Sequence, residues 1–126
     1  MKTIIKTDKA PMPIGPYSQA VRVGNTVYVS GQIAIDPFDG DLITINIIRE
    51  TSQVMINIGA VLKAAGMDYN NVVKATIFLK DMNDFEAVNE VYGNYFKADF
   101  PARETVQVSK LPKDVNVEIS VIAFDK

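Results

Sequence analysis

The final segment of the chain, "VNVEISVIAF" (115–124), constrains the fold more than any other feature. Every second residue is apolar, which is typical of a strand with one buried face. The face comprises Val115, Val117, Ile119, Val121 and Ala123. Ile122 and Phe124 make the opposite face partly apolar as well. Such a strand predicts a sheet that is packed on one side and needs further cover on the other.

The preceding residues predict the elements that accompany this strand. Residues 19–35 form a hairpin that turns at Gly24 and Asn25, and residues 71–80 and 104–109 form two more strands. A helix spans about 47–65 and stops at Gly66, and a second helix begins near Asn83 with Glu86 three residues later. The helical stripes are Val54, Ile58, Val61, Leu62, Ala65 and then Phe85, Val88, Tyr92, Tyr95, Phe96.

This order predicts an α+β fold, a single mixed sheet with both helices on one face and at least one right-handed parallel crossover. In residues 72–79, Val73 is expected on the face of Ala75, Ile77 and Leu79, and Val72 and Phe78 on the other. Since two helices cover only one face, we expect another subunit to cover the second, and we favour an oligomer over a monomer.

Composition excludes several kinds of chemistry. The 126 residues predict one domain, 1–126, and contain no cysteine and no histidine, which rules out disulfides, thiol nucleophiles and Ser-His-Asp catalysis. The net charge of −2 does not favour binding to nucleic acid or anionic lipid. No leader or membrane span is recognisable, so the expected location is the cytoplasm.

Two charged residues in the last strands suggest a site. Alternation places Arg103, Thr105 and Gln107 on one face of their strand, and Asn116, Glu118 and Ser120 on one face of the last. One interpretation is a solvated strand face, in which an Arg–Glu pair contributes little stability. The other is an anion pocket, because arginine binds a carboxylate through two parallel hydrogen bonds and a glutamate can orient or deprotonate a water.

Several motifs favour the second interpretation, because together they resemble the RidA (YjgF) family of reactive-intermediate deaminases. They occur in order along essentially the whole chain. They are "APMPIGPYSQAV" (10–21), "VYVSGQIAIDPFDG" (27–40), "KATIFLKDMNDFEAVNEVY" (74–92) and "PARETVQVSKLPKDVNVEISVIA" (101–123).

The resemblance implies a chorismate-mutase-like fold that assembles as a homotrimer with three clefts between subunits. It implies hydrolysis of 2-imino or enamine acids, such as 2-iminopropanoate and 2-iminobutanoate, to 2-keto acids and ammonia, without metal or cofactor. The substrates would come from pyridoxal-phosphate enzymes such as threonine or serine dehydratase. An imine carbon is already electrophilic, so positioning a water beside it is adequate catalysis without histidine or cysteine.

The same resemblance assigns roles to individual residues. Arg103 would bind the substrate carboxylate, Glu118 would act on the attacking water, and Gly31 would offer its backbone to the ligand. Further polar contacts are implied for Tyr17, Ser30, Asn89 and Thr105. Thr105 stands where many deaminating members have cysteine, and Ser120 where many have a second acidic residue, so rate and substrate preference are left open.

Each role has a structural alternative. Tyr17 could anchor its loop, Ser30 and Asn89 could satisfy nearby backbone groups, and Gly31 could serve strand geometry alone. The "DMND" segment (81–84) is expected to start a helix rather than hold a metal. Two other functions compete with deamination. They are a non-catalytic trimer that senses small keto or amino acids and an RNA-directed role, which the acidic composition and the lack of histidine disfavour.

Overall fold

Six strands pair into one mixed sheet in the computed structural model, which describes residues 1–126. The strands are β1 Lys2–Ile5, β2 Ala20–Val23, β3 Thr26–Gln32, β4 Val72–Leu79, β5 Ala102–Gln107 and β6 Val117–Phe124. Their order in the sheet is β1-β2-β3-β6-β4-β5, and only β4 and β5 run parallel, through the connection that contains the second helix. The predicted α+β class with one parallel crossover is therefore confirmed.

Two helices, α1 (Ile47–Ala64) and α2 (Phe85–Gly93), pack on one face of this sheet. The Asn46 side chain caps α1 by accepting from the Arg49 amide at 2.8 Å, and Gly66 follows the helix at φ +76°, a conformation that glycine adopts without strain. The predicted α1 stripe is buried in a core of 24 residues that also includes the inward side chains of β3, β4 and β6. Neither helix combines the length and hydropathy that a membrane span requires.

Several boundaries differ from the sequence prediction. Strand β1 is not predicted by the sequence, because its four residues gain order only by pairing with β2. Helix α2 ends at Gly93, so the last two aromatic residues of its predicted stripe pack after the helix rather than within it. The cap before α2 is Asp81, which accepts from the Asn83 amide at 2.9 Å and starts a short 3₁₀ turn (Met82–Asp84). The "DMND" segment thus starts a helix as expected, although Asn83 is not the cap.

The prediction for the first residues of β4 is wrong. The register of β4 against β6 shifts between Val72 and Lys74, so Val72 faces the core and Val73 is half exposed. A one-residue bulge of this kind reverses the faces that simple alternation assigns. From Ala75 onward the predicted alternation holds.

The second face of the sheet has its own small hydrophobic cluster, here called the outer cluster. It consists of Ile33, Ile35, Leu111 and Val115, with Phe78 packed against it. Val115 therefore leaves the face predicted for it, because β6 begins only at Val117 after a 3₁₀ turn at Pro112–Asp114. Beyond this cluster the second face exposes Tyr28, Val106 and Phe124, so it is partly apolar as predicted.

Candidate functional site

Arg103 lies on the helix-covered face of the sheet, beside α2. It pairs in register with Ala75, a core residue, and its Nη1 donates a hydrogen bond to Asn89 Oδ1 on α2. Its guanidinium carbon lies 5.7 Å from the ring centroid of Phe85 and 5.2 Å from that of Tyr92. Cation–π contacts of this kind hold the guanidinium plane while leaving its N–H groups available.

The guanidinium of Arg103 has no carboxylate partner. The two ion pairs of the chain lie elsewhere, at Lys74–Glu104 (3.1 Å) and Lys80–Asp114 (3.0 Å). The predicted alternative of a structural Arg103–Glu118 pair within the chain is therefore wrong. An arginine that is positioned by an amide and two aromatic rings, but not neutralised, is suited to binding an anion.

A cleft opens at this arginine. It has a volume of about 480 Å³ and is lined by Asn89, Tyr92, Gly93, Phe100, Pro101 and Arg103. The Tyr92 hydroxyl and Thr105 Oγ1 are both buried without a hydrogen-bond partner in the chain. Burial raises the pKa of Tyr92, and the neighbouring Arg103 charge opposes that rise. Unpaired buried hydroxyls are costly, so both are candidates to bond a ligand or another chain.

Glu118 lies on the opposite face of the sheet, in a different cleft. It pairs in register with Phe78, whose neighbours Ile77 and Leu79 face the core. Burial raises the pKa of the Glu118 carboxyl, because the charged form loses solvation there. A carboxyl in a cleft whose pKa is raised by burial gives up its proton less readily than an exposed glutamate, and it is a candidate for proton transfer.

Gly31 brings the main chain of β3 against this carboxyl. A Cβ built on Gly31 would lie 2.3 Å from Glu118 Oε2, closer than any side chain permits. The register between β3 and β6 shifts between Val29 and Gln32, so that Ser30 and Gly31 together oppose one residue of β6. Gly31 is therefore required for close approach to Glu118, and not only for strand geometry.

The N-terminal loop completes the Glu118 cleft. The Ser30 hydroxyl donates to the Ser18 carbonyl at 2.6 Å, and the Ser30 amide donates to the Gln19 carbonyl at 2.9 Å, so Ser30 attaches this loop to β3. The Tyr17 side chain remains half exposed in the cleft, and its hydroxyl accepts weakly from the Ile14 amide at 3.4 Å. The cleft has a volume of about 330 Å³ and is lined by Ile14, Tyr17, Ser30, Gly31, Ile33, Pro112 and Glu118.

The predicted site residues thus fall into two groups on opposite faces of one chain. Arg103, Asn89 and Thr105 belong to the helix-covered face, which we call the arginine half-site. The other group, Tyr17, Ser30, Gly31 and Glu118, forms the glutamate half-site. Asn116 joins neither group, because its side chain turns to Glu50 of α1 (Nδ2 to Oε1, 2.7 Å), contrary to the face predicted for it.

Two aromatic residues at the arginine half-site are predicted from the sequence as core residues, not as site residues. Phe85 and Tyr92 lie four residues before and three residues after Asn89, so all three share one face of α2. The spacing is visible in the sequence, but it indicates a core stripe equally well. Pro112 and Ile33 of the glutamate half-site carry no comparable signal, since their place in the cleft depends on how two loops pack.

Comparison with known proteins identifies the class to which this fold belongs. The family model described as Endoribonuclease L-PSP matches residues 7–125, and the chain belongs to this family, the YjgF/RidA family. The 2-iminobutanoate/2-iminopropanoate deaminase of Homo sapiens is 51% identical over 98% of this chain and 90% of its own. A RutC family protein of Pyrococcus horikoshii is 53% identical over 98% of both chains.

Solved structures agree with the fold. RidA from an Antarctic Psychrobacter superposes with a TM-score of 0.95 at 46% identity, over 98% of this chain and 99% of that one. The structure of Escherichia coli TdcF with bound serine superposes with a TM-score of 0.95 at 40% identity and the same coverage. The single mixed sheet with two helices is therefore the architecture of the family.

Proposed function

We propose that this protein hydrolyses reactive 2-imino and enamine acids, such as 2-iminopropanoate and 2-iminobutanoate, to 2-keto acids and ammonia. The observation that carries the proposal is Arg103, a guanidinium oriented by Asn89 and two aromatic rings and free of any carboxylate partner. Relatives at 51–54% identity over nearly the full chain bear the name of this activity.

The positions of the half-sites support a catalytic cleft between subunits. A three- or four-carbon acid cannot contact Arg103 and Glu118 of one chain, because the sheet lies between them. Two copies can meet so that the arginine half-site of one faces the glutamate half-site of the next. The partly apolar second face, with Tyr28, Val106 and Phe124 exposed, provides surface for such contacts. In a homotrimer this arrangement gives three equivalent clefts.

The chemistry follows from the two half-sites. Arg103 binds the carboxylate of the imino acid, and Asn89 keeps the guanidinium in place. Glu118, as the carboxylate, accepts a proton from a water that attacks the imine carbon, and it returns a proton to the amine that leaves as ammonia. The balance is one imine plus one water giving one 2-keto acid plus one ammonia. Because the imine carbon is electrophilic, the scheme requires no metal or organic cofactor.

The substrate class indicates what must act upstream. Enamine and imine acids arise when pyridoxal-phosphate dehydratases remove water from serine or threonine, so the protein is proposed to act after such enzymes. Thr105, with its buried unpaired hydroxyl, and Ser120 are proposed to adjust rate and substrate preference rather than to perform the chemistry. The cytoplasm remains the expected location.

The proposal is tested by coupled release of ammonia and 2-oxobutanoate. Threonine is dehydrated by a purified dehydratase, and the imine decay is followed with and without this protein. Arg103→Ala is expected to reduce the acceleration to near the buffer rate. Arg49→Ala, on the exposed side of α1, is the matched control and is expected to keep full activity. Full activity in Arg103→Ala would refute the mechanism.

A second candidate function is a binding trimer that senses small keto or amino acids. It is favoured by the relative solved with bound serine, which shares the fold over nearly the whole chain. Calorimetry with 2-oxobutanoate beside the activity assay separates the two. Binding that is lost in Arg103→Ala and kept in Glu118→Gln, without acceleration of imine decay by the unmodified protein, would favour the sensor.

A further inference from the structure

Helix α1 presents two fully buried polar side chains, Glu50 and Asn57, that the proposed chemistry does not use. They are seven residues apart and therefore lie on the same side of the helix. Around them the buried side of α1 is largely apolar, and the third buried polar residue, Thr51, bonds only to its own helix through the Ile47 carbonyl at 2.7 Å. Burying polar groups is costly, so each of these two must be matched by specific partners.

Asn57 holds the segment that follows Gly31. Its Nδ2 donates to the Ile33 carbonyl at 3.0 Å and to the Ile35 carbonyl at 2.9 Å. These carbonyls lie beyond the end of β3 at Gln32. The Ile33 carbonyl also accepts from the Ile35 amide at 2.9 Å, and Asn57 adds the hydrogen bonds that reach α1. Gln53 Nε2 donates to Asn57 Oδ1 at 2.9 Å and fixes the orientation of the amide. The chain after Gly31 is therefore attached to α1 through this side-chain amide, in addition to the backbone hydrogen bond from the Ile43 amide to the Ala34 carbonyl at 2.8 Å.

Glu50 holds the segment that precedes Glu118. Its Oε2 accepts from the backbone amides of Asn116 and Val117 at 2.8 and 3.3 Å, and its Oε1 accepts from Asn116 Nδ2 at 2.7 Å. Bonds from N–H groups to a buried carboxylate are among the stronger hydrogen bonds in proteins. Asn116 and Val117, immediately before Glu118, are thus attached to α1 rather than only to neighbouring strands.

The segment held by Asn57 and the segment held by Glu50 both contact the outer cluster. Ile33 and Ile35, held by Asn57, pack against Leu111 and Val115 in the outer cluster. Val115 directly precedes the residues that Glu50 holds. Ile33 lines the cleft at Glu118, and so does Pro112, which follows Leu111 in the chain. Glu50 and Asn57 therefore hold, from the helix-covered face of the sheet, the two chain segments that bring Gly31 against the Glu118 carboxyl.

We propose that Glu50 and Asn57 are positioning residues that set the separation between the Gly31 main chain and the Glu118 carboxyl, and through it the rate of the chemical step. The inference rests on the proposed deaminase function, because it assigns Glu118 a role in that step. Neither side chain lines either cleft, so their effect on substrate is indirect. Displacements of about 1 Å in reacting groups reduce rates by roughly 100-fold.

Four variants test the proposal. Glu50→Leu and Asn57→Leu remove the hydrogen bonds at similar volume. Glu50→Gln is the conservative variant, because its amide oxygen can accept from the two backbone amides while Asn116 turns its own oxygen to the new N–H₂ group. Val54→Ala is the matched control, a fully buried core residue between the two that contacts neither segment through hydrogen bonds.

The measurements are kcat and KM for imine hydrolysis, thermal unfolding, calorimetry with 2-oxobutanoate, and crystal structures of the variants. We expect both leucine variants to lower kcat by about 10-fold or more with KM and 2-oxobutanoate affinity changed by less than about threefold, since Arg103 is untouched. Glu50→Gln is expected to keep most of the activity. Val54→Ala is expected to lose stability but to retain kcat in the folded protein.

Unchanged kcat in folded Glu50→Leu and Asn57→Leu would overturn the proposal, as would equal losses in Glu50→Gln and Glu50→Leu. The crystal structures provide a readout that does not need activity. A shift of more than about 0.5 Å between Gly31 and the Glu118 carboxyl in the leucine variants is expected, and an unchanged separation contradicts the proposal. If the unmodified protein accelerates no imine hydrolysis, the proposed function fails, while the structures still decide whether these residues position Glu118.

Discussion

Replacing Gly31 with alanine places a single methyl group in the glutamate half-site. The new Cβ would lie 2.3 Å from Glu118 Oε2, 2.8 Å from Cδ and 3.1 Å from Cγ. Gly31 does not have a positive φ, so alanine brings no backbone strain, and the steric overlap is the only perturbation. Either the carboxyl must move away from the β3 main chain, or the bulge at Ser30 and Gly31 must open.

The size of this movement follows from the contact. Carbon and oxygen atoms that do not bond approach to about 3.3 Å, so an overlap to 2.3 Å requires a displacement of about 1 Å. The carboxyl terminates a flexible side chain, and its rotation costs less than the 1–3 kcal/mol typical of overpacked cores, about 1 kcal/mol or less. A displacement of about 1 Å at a proton-transferring group corresponds to a loss of roughly 100-fold in kcat.

Gly59→Ala is a control with the same degree of overlap. A Cβ at Gly59 would lie 2.3 Å from the Tyr69 hydroxyl, which donates to the Met55 carbonyl at 2.6 Å on the inner side of α1. Burial there raises the pKa of Tyr69 to about 12, consistent with an enclosed hydroxyl. This variant is expected to lose stability and keep kcat, the reverse of Gly31→Ala.

The assay is imine hydrolysis at 25 °C together with thermal unfolding of both variants. We expect Gly31→Ala to unfold within a few degrees of the unmodified protein while kcat falls by about 100-fold. A Gly31→Ala protein with full kcat, or one whose loss of activity is matched by Gly59→Ala in folded protein, would refute the reasoning that contact between Gly31 and Glu118 sets the catalytic geometry.

Three further predictions address charge, anchoring and capping. Burial raises the folded-state pKa of Glu118 above its ordinary value of 4.5. The stability contributed by the protonated carboxyl is therefore fully present below about pH 4.5, and it is lost as the pH rises through the folded-state pKa. Glu118→Gln is therefore expected to unfold at a higher temperature than the unmodified protein at pH 7, with the difference vanishing below about pH 4.5; a lower unfolding temperature at pH 7 would contradict the burial argument. Arg103→Lys keeps the charge but loses the planar fork, and kcat/KM for 2-iminobutanoate should fall by about 10- to 100-fold; equal kcat/KM would show that a point charge suffices. Asn46→Ala removes the cap of α1 and should lower the free energy of unfolding in urea by about 1 kcal/mol with no change in KM; an unchanged urea midpoint would mean that the cap contributes nothing.

The local character of each segment can be predicted from sequence because it depends on near neighbours. Apolar spacing locates α1 and strands β2 to β6 to within a few residues, and Gly66 stops α1 where it is expected. The order of motifs along the chain is sufficient to indicate the family, and the family model confirms it. The motifs also point to Arg103 and Glu118, although they do not reveal how these two residues are placed relative to each other.

Where alternation fails, the cause is a bulge or a long-range contact. The shift between Val72 and Lys74 reverses one predicted face, because side chains of a strand alternate strictly and a single extra residue exchanges the faces. Asn116 turns to Glu50, 66 residues away in the chain, and no local pattern signals that hydrogen bond. The bulge at Ser30 and Gly31, which brings the main chain against Glu118, has the same non-local origin.

The sequence by itself determined α1 and strands β2 to β6, the family and the residue types available for chemistry, because these follow from local periodicity and from motifs that are continuous in the chain. Only the tertiary structure decided that Arg103 and Glu118 lie on opposite faces of the sheet. That placement depends on which strands are neighbours, with Arg103 beside Ala75 and Glu118 beside Phe78. Strand pairing and register are set by the packing of the whole core. Two residues fifteen positions apart in sequence can therefore lie on the same face of the sheet or on opposite faces.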